Sequence, residues 1–285
     1  MKIAYIVDSA SFLNEQQAKE LDLFFIPLYI LIDGESFKEG VNLDREHLYK
    51  ALEEGKSVST SQASPGEITE VIENLKSLGY DTAVYSGIAS GLSKTQENFA
   101  NIARMEDFNL HVIDSKSVGY AQLNSILQVR QDVEKGVSIE DAIKSLEPAI
   151  EESQTVIVVG DLDQLVKSGR MKSSAKLVAN LLNIKLVLKL DKEQGGKIEL
   201  VDKVRTAKKA YKKMIDIIFD GISNINDYVV LLADFKADEA KEYILNEIKD
   251  LYPNVEVISK PLIPTVGTHA GLNTVGMQIA RKVSK

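Results

Sequence analysis

Hydroxyl side chains gather at two places in this chain. Ser59-Thr60-Ser61 sits in a polar stretch, residues 57–65, just ahead of a helix start, and Ser90-Gly91-Leu92-Ser93 follows a short apolar run. A helix N-terminus presents unpaired backbone N–H groups, so hydroxyls beside it can hold an anion. Thr60, Ser61, Ser90, Gly91 and Ser93 are therefore candidate contacts to a carboxylate or phosphate. The same residue types also cap helices in the ordinary way, and spacing alone leaves both readings open. A third feature is Gly267-Thr268-His269-Ala270-Gly271, a late loop after Pro261 and Pro264 whose histidine reads as not packed in a core: Thr268 and His269 are either candidate ligand contacts or ordinary exposed loop residues. A fourth is a pair of basic spots, Lys167-Ser168-Gly169-Arg170-Met171-Lys172 and Lys203-Val204-Arg205. Arg170 and Arg205 can meet a phosphate or an acidic partner, or stay solvated.

Other chemistries have weaker support. Ser90 or Ser93, His269 and Asp8 include the residue types of a serine hydrolase acting on an acyl ester, which is the alternative reading. The nucleophile-elbow pattern is absent, because Gly87-Ile88-Ala89-Ser90-Gly91 has the wrong spacing. Neither glycine-rich phosphate fingerprint occurs, and Gly267, Gly271 and Gly276 are too widely spaced to form one. That counts against a nucleotide-binding enzyme. The chain has no cysteine, which excludes disulfides, thiolate metal sites and a cysteine nucleophile. Its three histidines, His47, His111 and His269, are too few and scattered to suggest a metal site.

The 285 residues carry 34 Lys and Arg against 42 Asp and Glu, a net charge of −8 that argues against nucleic acid as main ligand. No apolar run reaches the ~20 residues of a membrane-spanning helix. The first eight residues, MKIAYIVD, are too short for a signal peptide before their acid, so the expectation is a cytoplasmic protein.

The elements that must carry these residues alternate through the first half. Strands are expected at 2–7, within 23–32, at 81–85 and at 110–113. Helices are expected at 13–20, 44–54, 65–78, from about 94 to 105, 117–134 and 138–152. Ser64-Pro65 with Glu67 is a capping-box start, and Asp33-Gly34 is a hairpin turn. Strand, loop and helix in this order imply a parallel sheet with helices on both faces, with ligand loops at the strands' carboxyl ends. The second half mixes strands at 155–159, 185–190, 197–203, 228–233 and 255–258 with helices at 161–167, 173–183, 206–220 and 236–250. Apolar alternation at Val275, Met277 and Ile279 favours a further strand at 275–283. The reading is an α/β chain of two domains, 1–160 with the head-group loops and 161–285 with a mixed sheet.

Taken together and in order, several motifs resemble the DegV family over essentially the whole chain. They are Val7-Asp8-Ser9-Ala10, Ser59-Thr60-Ser61-Gln62-Ala63-Ser64-Pro65, and Ser90-Gly91-Leu92-Ser93-Lys94-Thr95-Gln96. Ser168-Gly169-Arg170-Met171, Arg205-Thr206-Ala207-Lys208-Lys209-Ala210 and Thr268-His269-Ala270-Gly271 complete the set. The resemblance implies a two-domain fold with a long-chain fatty acid in a pocket between the domains. Hydroxyls matching Thr60 and Ser93 would hold its carboxylate, with His269 nearby. It further implies a lipid-binding protein, not an enzyme, without cofactor or metal. Some family members are the FakB-like acyl-carrying subunit of a bacterial fatty acid kinase, which presents the acid to a separate ATP-dependent kinase subunit; Arg170 would face that partner. The chain departs from the family's usual pattern at Ala63, Ala89, Lys94 and Leu272-Asn273-Thr274.

Overall fold

The first apolar run becomes strand β1, Ile3–Asp8, in a computed structural model that describes residues 2–171 and 184–283. Ala4 and Ile6 point into one core and Tyr5 and Val7 into another. A strand that is apolar on both faces must be covered on both. It pairs in parallel with β2 (Phe24–Ile26) and β6 (Thr82–Ser86), and β6 pairs with β7 (Asn109–Ile113), in the order β2-β1-β6-β7. Helices α3 (Pro65–Ser77) and α4 (Thr95–Met105) cover one face through Ile68, Ile72, Leu75 and Phe99. Helices α5 (Tyr120–Glu134) and α6 (Ile139–Lys144) cover the other through Ile126, Val129 and Ile139. The expected helix-flanked parallel sheet is therefore present. Two short helices, α1 (Glu15–Glu20) and α2 (Arg45–Glu53), lie in the connection from β1 to α3.

That connection also forms a small antiparallel sheet, β4-β3-β5, from β3 (Tyr29–Ile32), β4 (Glu35–Lys38) and β5 (Val58–Ser61). Asp33 and Gly34 both have positive φ, 49° and 88°, as a tight two-residue hairpin turn requires. Here the sequence expectation needs correction. Residues 58–61 lie in a strand paired with β3, not in a loop, so Thr60 stands on a sheet edge and not at a helix N-terminus.

The second sheet is mixed and runs β10-β9-β8-β13-β11-β12. Its strands are β8 (Gln154–Val158), β9 (Lys185–Asp191), β10 (Lys197–Val204), β11 (Tyr228–Phe235), β12 (Glu256–Pro261) and β13 (Thr274–Arg281). Among its strands as described, β11 and β12 are the one pair that runs parallel. Helices α9 (Ala207–Phe219) and α10 (Asp238–Leu251) pack Met214, Ile218 and Ile244 on one face, against Val156, Val158 and Val230. The opposite face of β8 turns Ile157 toward α8 (Leu162–Ser168) and α11 (Pro264–Ala270). The alternating segment at the C-terminus is indeed a strand, with Val275, Met277 and Ile279 in the core.

Three further differences have physical causes. The helix expected over 138–152 is broken into α6 and α7 (Glu147–Glu152), because Pro148 lacks an N–H and cannot continue a helix from behind. The segment around His269 is helical: Pro264 sits in the first turn, where its missing N–H costs nothing, and Gly271 follows the end. Strand β8 falls before residue 160 yet is hydrogen-bonded within the second sheet. The helix expected at 173–183 lies wholly outside the described residues. Among the described residues no helix is long and apolar enough to cross a membrane.

Candidate ligand-binding site

In the parallel sheet, β1 has β2 on one side and β6 on the other, so the chain reverses its direction of travel there. Open α/β sheets bind ligands at such a point, outside the carboxyl ends of the strands. The loop after β6 is clamped to the end of β1 by Asp8. This fully buried carboxylate accepts hydrogen bonds from the Ile88 N–H (2.8 Å), the Tyr85 hydroxyl (3.0 Å), Gln122 Nε2 (2.8 Å) and the Ala10 N–H (3.1 Å). Burial pushes its pKa above the ordinary carboxylate value, and the four donors oppose that shift.

The loop's backbone is already engaged. The Gly91 N–H donates to the Gly195 carbonyl at 2.8 Å, and the Leu92 and Ser93 N–H groups donate to the Ala89 carbonyl. The unpaired backbone donors expected of this loop are thus not free at those three residues, and the hydroxyls are what it has to offer. The β9–β10 turn abuts so closely that a Cβ on Gly91 would lie 2.6–2.8 Å from backbone atoms of residues 194, 195 and 197. Gly195 itself has φ +66°, and a Cβ there would meet Ser90 Oγ at 2.4 Å. Only glycine at both positions lets the two chain segments touch.

Behind this contact lies a cavity of about 770 Å³, within the usual range for small-molecule sites. The first sheet's loops supply Ile88, Leu92 and Val118, and the second sheet supplies Ile157, Leu190 and Ile198. Thr60 and Ser61 reach it from β5, Ser90 and Ser93 from the loop after β6, and His269 from α11. The charged residues on its wall are Lys94, Arg170 and Lys197; no Asp or Glu lines it among the described residues. In a chain of net charge −8 that is a locally positive, apolar-walled chamber.

Thr60 Oγ1 and His269 Nε2 lie 2.7 Å apart. Burial, and then the Arg170 charge, lower the His269 pKa from 6.5 to about 4, so the ring is neutral at pH 7. Ser93 Oγ is 2.7 Å from Thr95 Oγ1 and accepts the Thr95 N–H at 3.3 Å, half serving the start of α4. Ser64 makes the full capping box with Glu67.

Seven sequence candidates therefore meet at one cavity: Thr60, Ser61, Ser90, Gly91, Ser93, His269 and Arg170. Two do not. The Thr268 side chain is fully buried off the cavity wall, with no hydrogen-bond partner for Oγ1 among the described residues. Arg205 is exposed and off the wall. His269 is half-buried on a helix, not exposed in a loop. Asp8 is spent on its four donors, and no hydrogen bond joins it to His269, so no Ser–His–Asp relay is assembled. Sequence reasoning missed Gln62, Lys197 and Thr265 on the wall, and Glu39 behind it. Gln62 adjoins the hydroxyl cluster and Lys197 follows the Gly195-Gly196 turn, which are faint signals; Glu39 and Thr265 offer none.

Comparison with known proteins is uniform. A family model described as an uncharacterised protein of the DegV family matches residues 2–282. A DegV domain-containing protein of Caldanaerobacter subterraneus is 33% identical over 288 residues, covering 99% of each chain. Another from Listeria innocua is 31% identical over 278 residues, covering 97% of each. Among solved structures, a fatty acid binding DegV family protein of Streptococcus agalactiae superposes with a TM-score of 0.86 at 28% identity, covering 99% of both chains. DegV of Bacillus subtilis, a fatty acid binding protein, also gives 0.86, at 26% identity over 99% of this chain and 100% of that one.

Proposed function

The chain belongs to the DegV family, and from that premise we propose that it binds a long-chain fatty acid in the cavity between its two main sheets. The observation that carries the reading is the cavity's make-up: apolar walls, a hydroxyl and imidazole cluster at Thr60, Ser93 and His269, cations at Lys94, Arg170 and Lys197, and no carboxylate among the described lining residues. That chemistry fits an amphipathic anion. Removing sixteen carbons from water is worth up to ~12 kcal/mol at ~0.8 per methylene, before the costs of binding. The head group then needs direction more than strength, and a buried carboxylate needs hydrogen-bond donors. Ser61, Ser90 and Ser93 carry hydroxyls, and the bonded pair Thr60 and neutral His269, which share two hydrogens and spend one on each other, has one left to donate. The chain works as two α/β units divided near residue 160, with β8 crossing from the first into the sheet of the second.

The acid is carried, not transformed: this protein presents the carboxylate to a separate ATP-dependent kinase subunit in the cytoplasm. Arg170, exposed, on the cavity wall and close enough to His269 for its charge to act on the ring, is the contact for that partner, and Arg205 is a second positive point on the surface. No observation favours the hydrolase alternative.

Organic extraction of the purified protein followed by mass spectrometry tests the binding. The expected result is a C14–C18 fatty acid at near-stoichiometric amount. A protein that is empty and also fails to take up added palmitate overturns the reading.

A further inference from the structure

We propose that Glu39 is a positioning residue for the head-group end of the cavity, setting through α11 where His269 meets Thr60; this rests on the fatty acid reading above. Glu39 is 2% exposed. Its Oε1 accepts the Thr265 N–H at 2.8 Å, and its Oε2 accepts the Ser9 hydroxyl at 2.6 Å and the Thr265 hydroxyl at 2.7 Å. Ser9 Oγ in turn accepts the Leu28 N–H at 3.1 Å. One side chain thus joins the turn after β1, the segment entering β3, and α11.

Helix α11 has seven residues and an N-cap, Ile263, with no side-chain cap of its own. A helix this short does not hold itself and takes its place from tertiary contacts. The Glu39 carboxylate satisfies one of its orphan N–H groups and sits at the favourable end of its dipole. Residues four apart share a helix face, and Thr265 and His269 both line the cavity. A shift of Thr265 therefore moves His269 with it, one turn on, against Thr60. Burying a carboxylate for packing alone is costly, whereas three donors converging on it make a directional anchor.

The test uses Glu39→Leu, which removes the anchor, and Thr265→Val, which is isosteric and removes one donor. Palmitate affinity is measured by calorimetry in the wild-type and His269→Ala backgrounds. In parallel, the His269 ring nitrogens are followed by long-range proton–nitrogen NMR on ligand-free protein. Glu39→Leu is expected to lower affinity by about tenfold or more and Thr265→Val by about threefold or more, with little further loss in the His269→Ala background. Both should move the Nε2 signal in the direction that Thr60→Val moves it. Glu39→Gln, whose amide can accept from the Thr265 N–H and donate to the two hydroxyls, should restore both readouts. Wild-type affinity with an unmoved ring signal in the folded variants overturns the proposal. So do losses that add in full to His269→Ala, or a Gln variant as impaired as the Leu one. If Glu39→Leu does not fold, Thr265→Val decides. Because the ring signal needs no ligand, failure of palmitate binding in the wild type counts against the fatty acid reading alone.

Discussion

Thr60 Oγ1 and His269 Nε2 approach to 2.7 Å across 209 positions of sequence, tying the edge strand β5 to helix α11 at the wall of the cavity. Most of what is distinctive about the site depends on that meeting. One partner comes from the connection between β1 and α3, the other from the crossover between β12 and β13.

Loss of either hydroxyl should weaken binding directly. Thr60→Val and Ser93→Ala are each expected to reduce palmitate affinity by ~1–3 kcal/mol, the usual cost of withdrawing a donor from a buried charged group. Calorimetric titration reads this. Two variants that bind as the wild type does would show that the head group sits elsewhere.

The neutral imidazole has a pH signature. Its folded-state pKa of about 4 lies below the ordinary 6.5 of an unfolded chain. Between those values the unfolded state binds the extra proton, so stability from this group falls as pH drops from 6.5 toward 4 and is not penalised above 6.5. The gap is worth up to ~3 kcal/mol. Asp8 and Glu39 act in the opposite sense, since burial raises both above their ordinary values and the folded state then holds protons the unfolded one has lost. Comparing urea unfolding of the wild type with His269→Ala across pH 4–7 cancels those acids. The wild type should lose stability relative to the variant as the solution is acidified.

Gly91→Ala should pry open the contact between the two sheets. The added Cβ meets three backbone atoms at 2.6–2.8 Å, none of which can rotate away. A cost of ~1–3 kcal/mol in stability is expected, as for other overpacked sites, together with faster release of bound acid. Stopped-flow displacement with a fluorescent fatty acid measures the second effect, and an unchanged off-rate would show that this contact does not hold the cavity closed.

Asp8 should prove structural. Replacing it by Ala strands four buried donors, so a loss of several kcal/mol in urea unfolding is expected. A fluorophosphonate probe should leave Ser90 and Ser93 unlabelled in the wild type, since no hydrogen bond links Asp8 to His269. Labelling of either serine would revive a hydrolytic role.

What the amino-acid order settled alone is what local pattern can carry. The apolar run at residues 2–7 reads as a buried strand, Ser64-Pro65 with Glu67 starts a helix, and Val275, Met277 and Ile279 mark a strand by their alternation. These depend on neighbours within a few residues, where backbone geometry enforces the periods of helix and strand. The motif order also carried the family. Tertiary structure alone decided the rest. Val58–Ser61 is a strand beside β3, although Val58 and Thr60, which favour strands, sit between serines in a polar stretch too short and mixed to mark a strand along the chain. Pro264–Ala270 forms a helix through Gly267 with no side-chain cap from its own N-cap residue, and Glu39 meets its first turn from 226 positions away. That distance is why nothing along the chain marks Glu39. A buried carboxylate is tolerable only where distant donors converge, and no pattern of neighbours along the chain records such convergence.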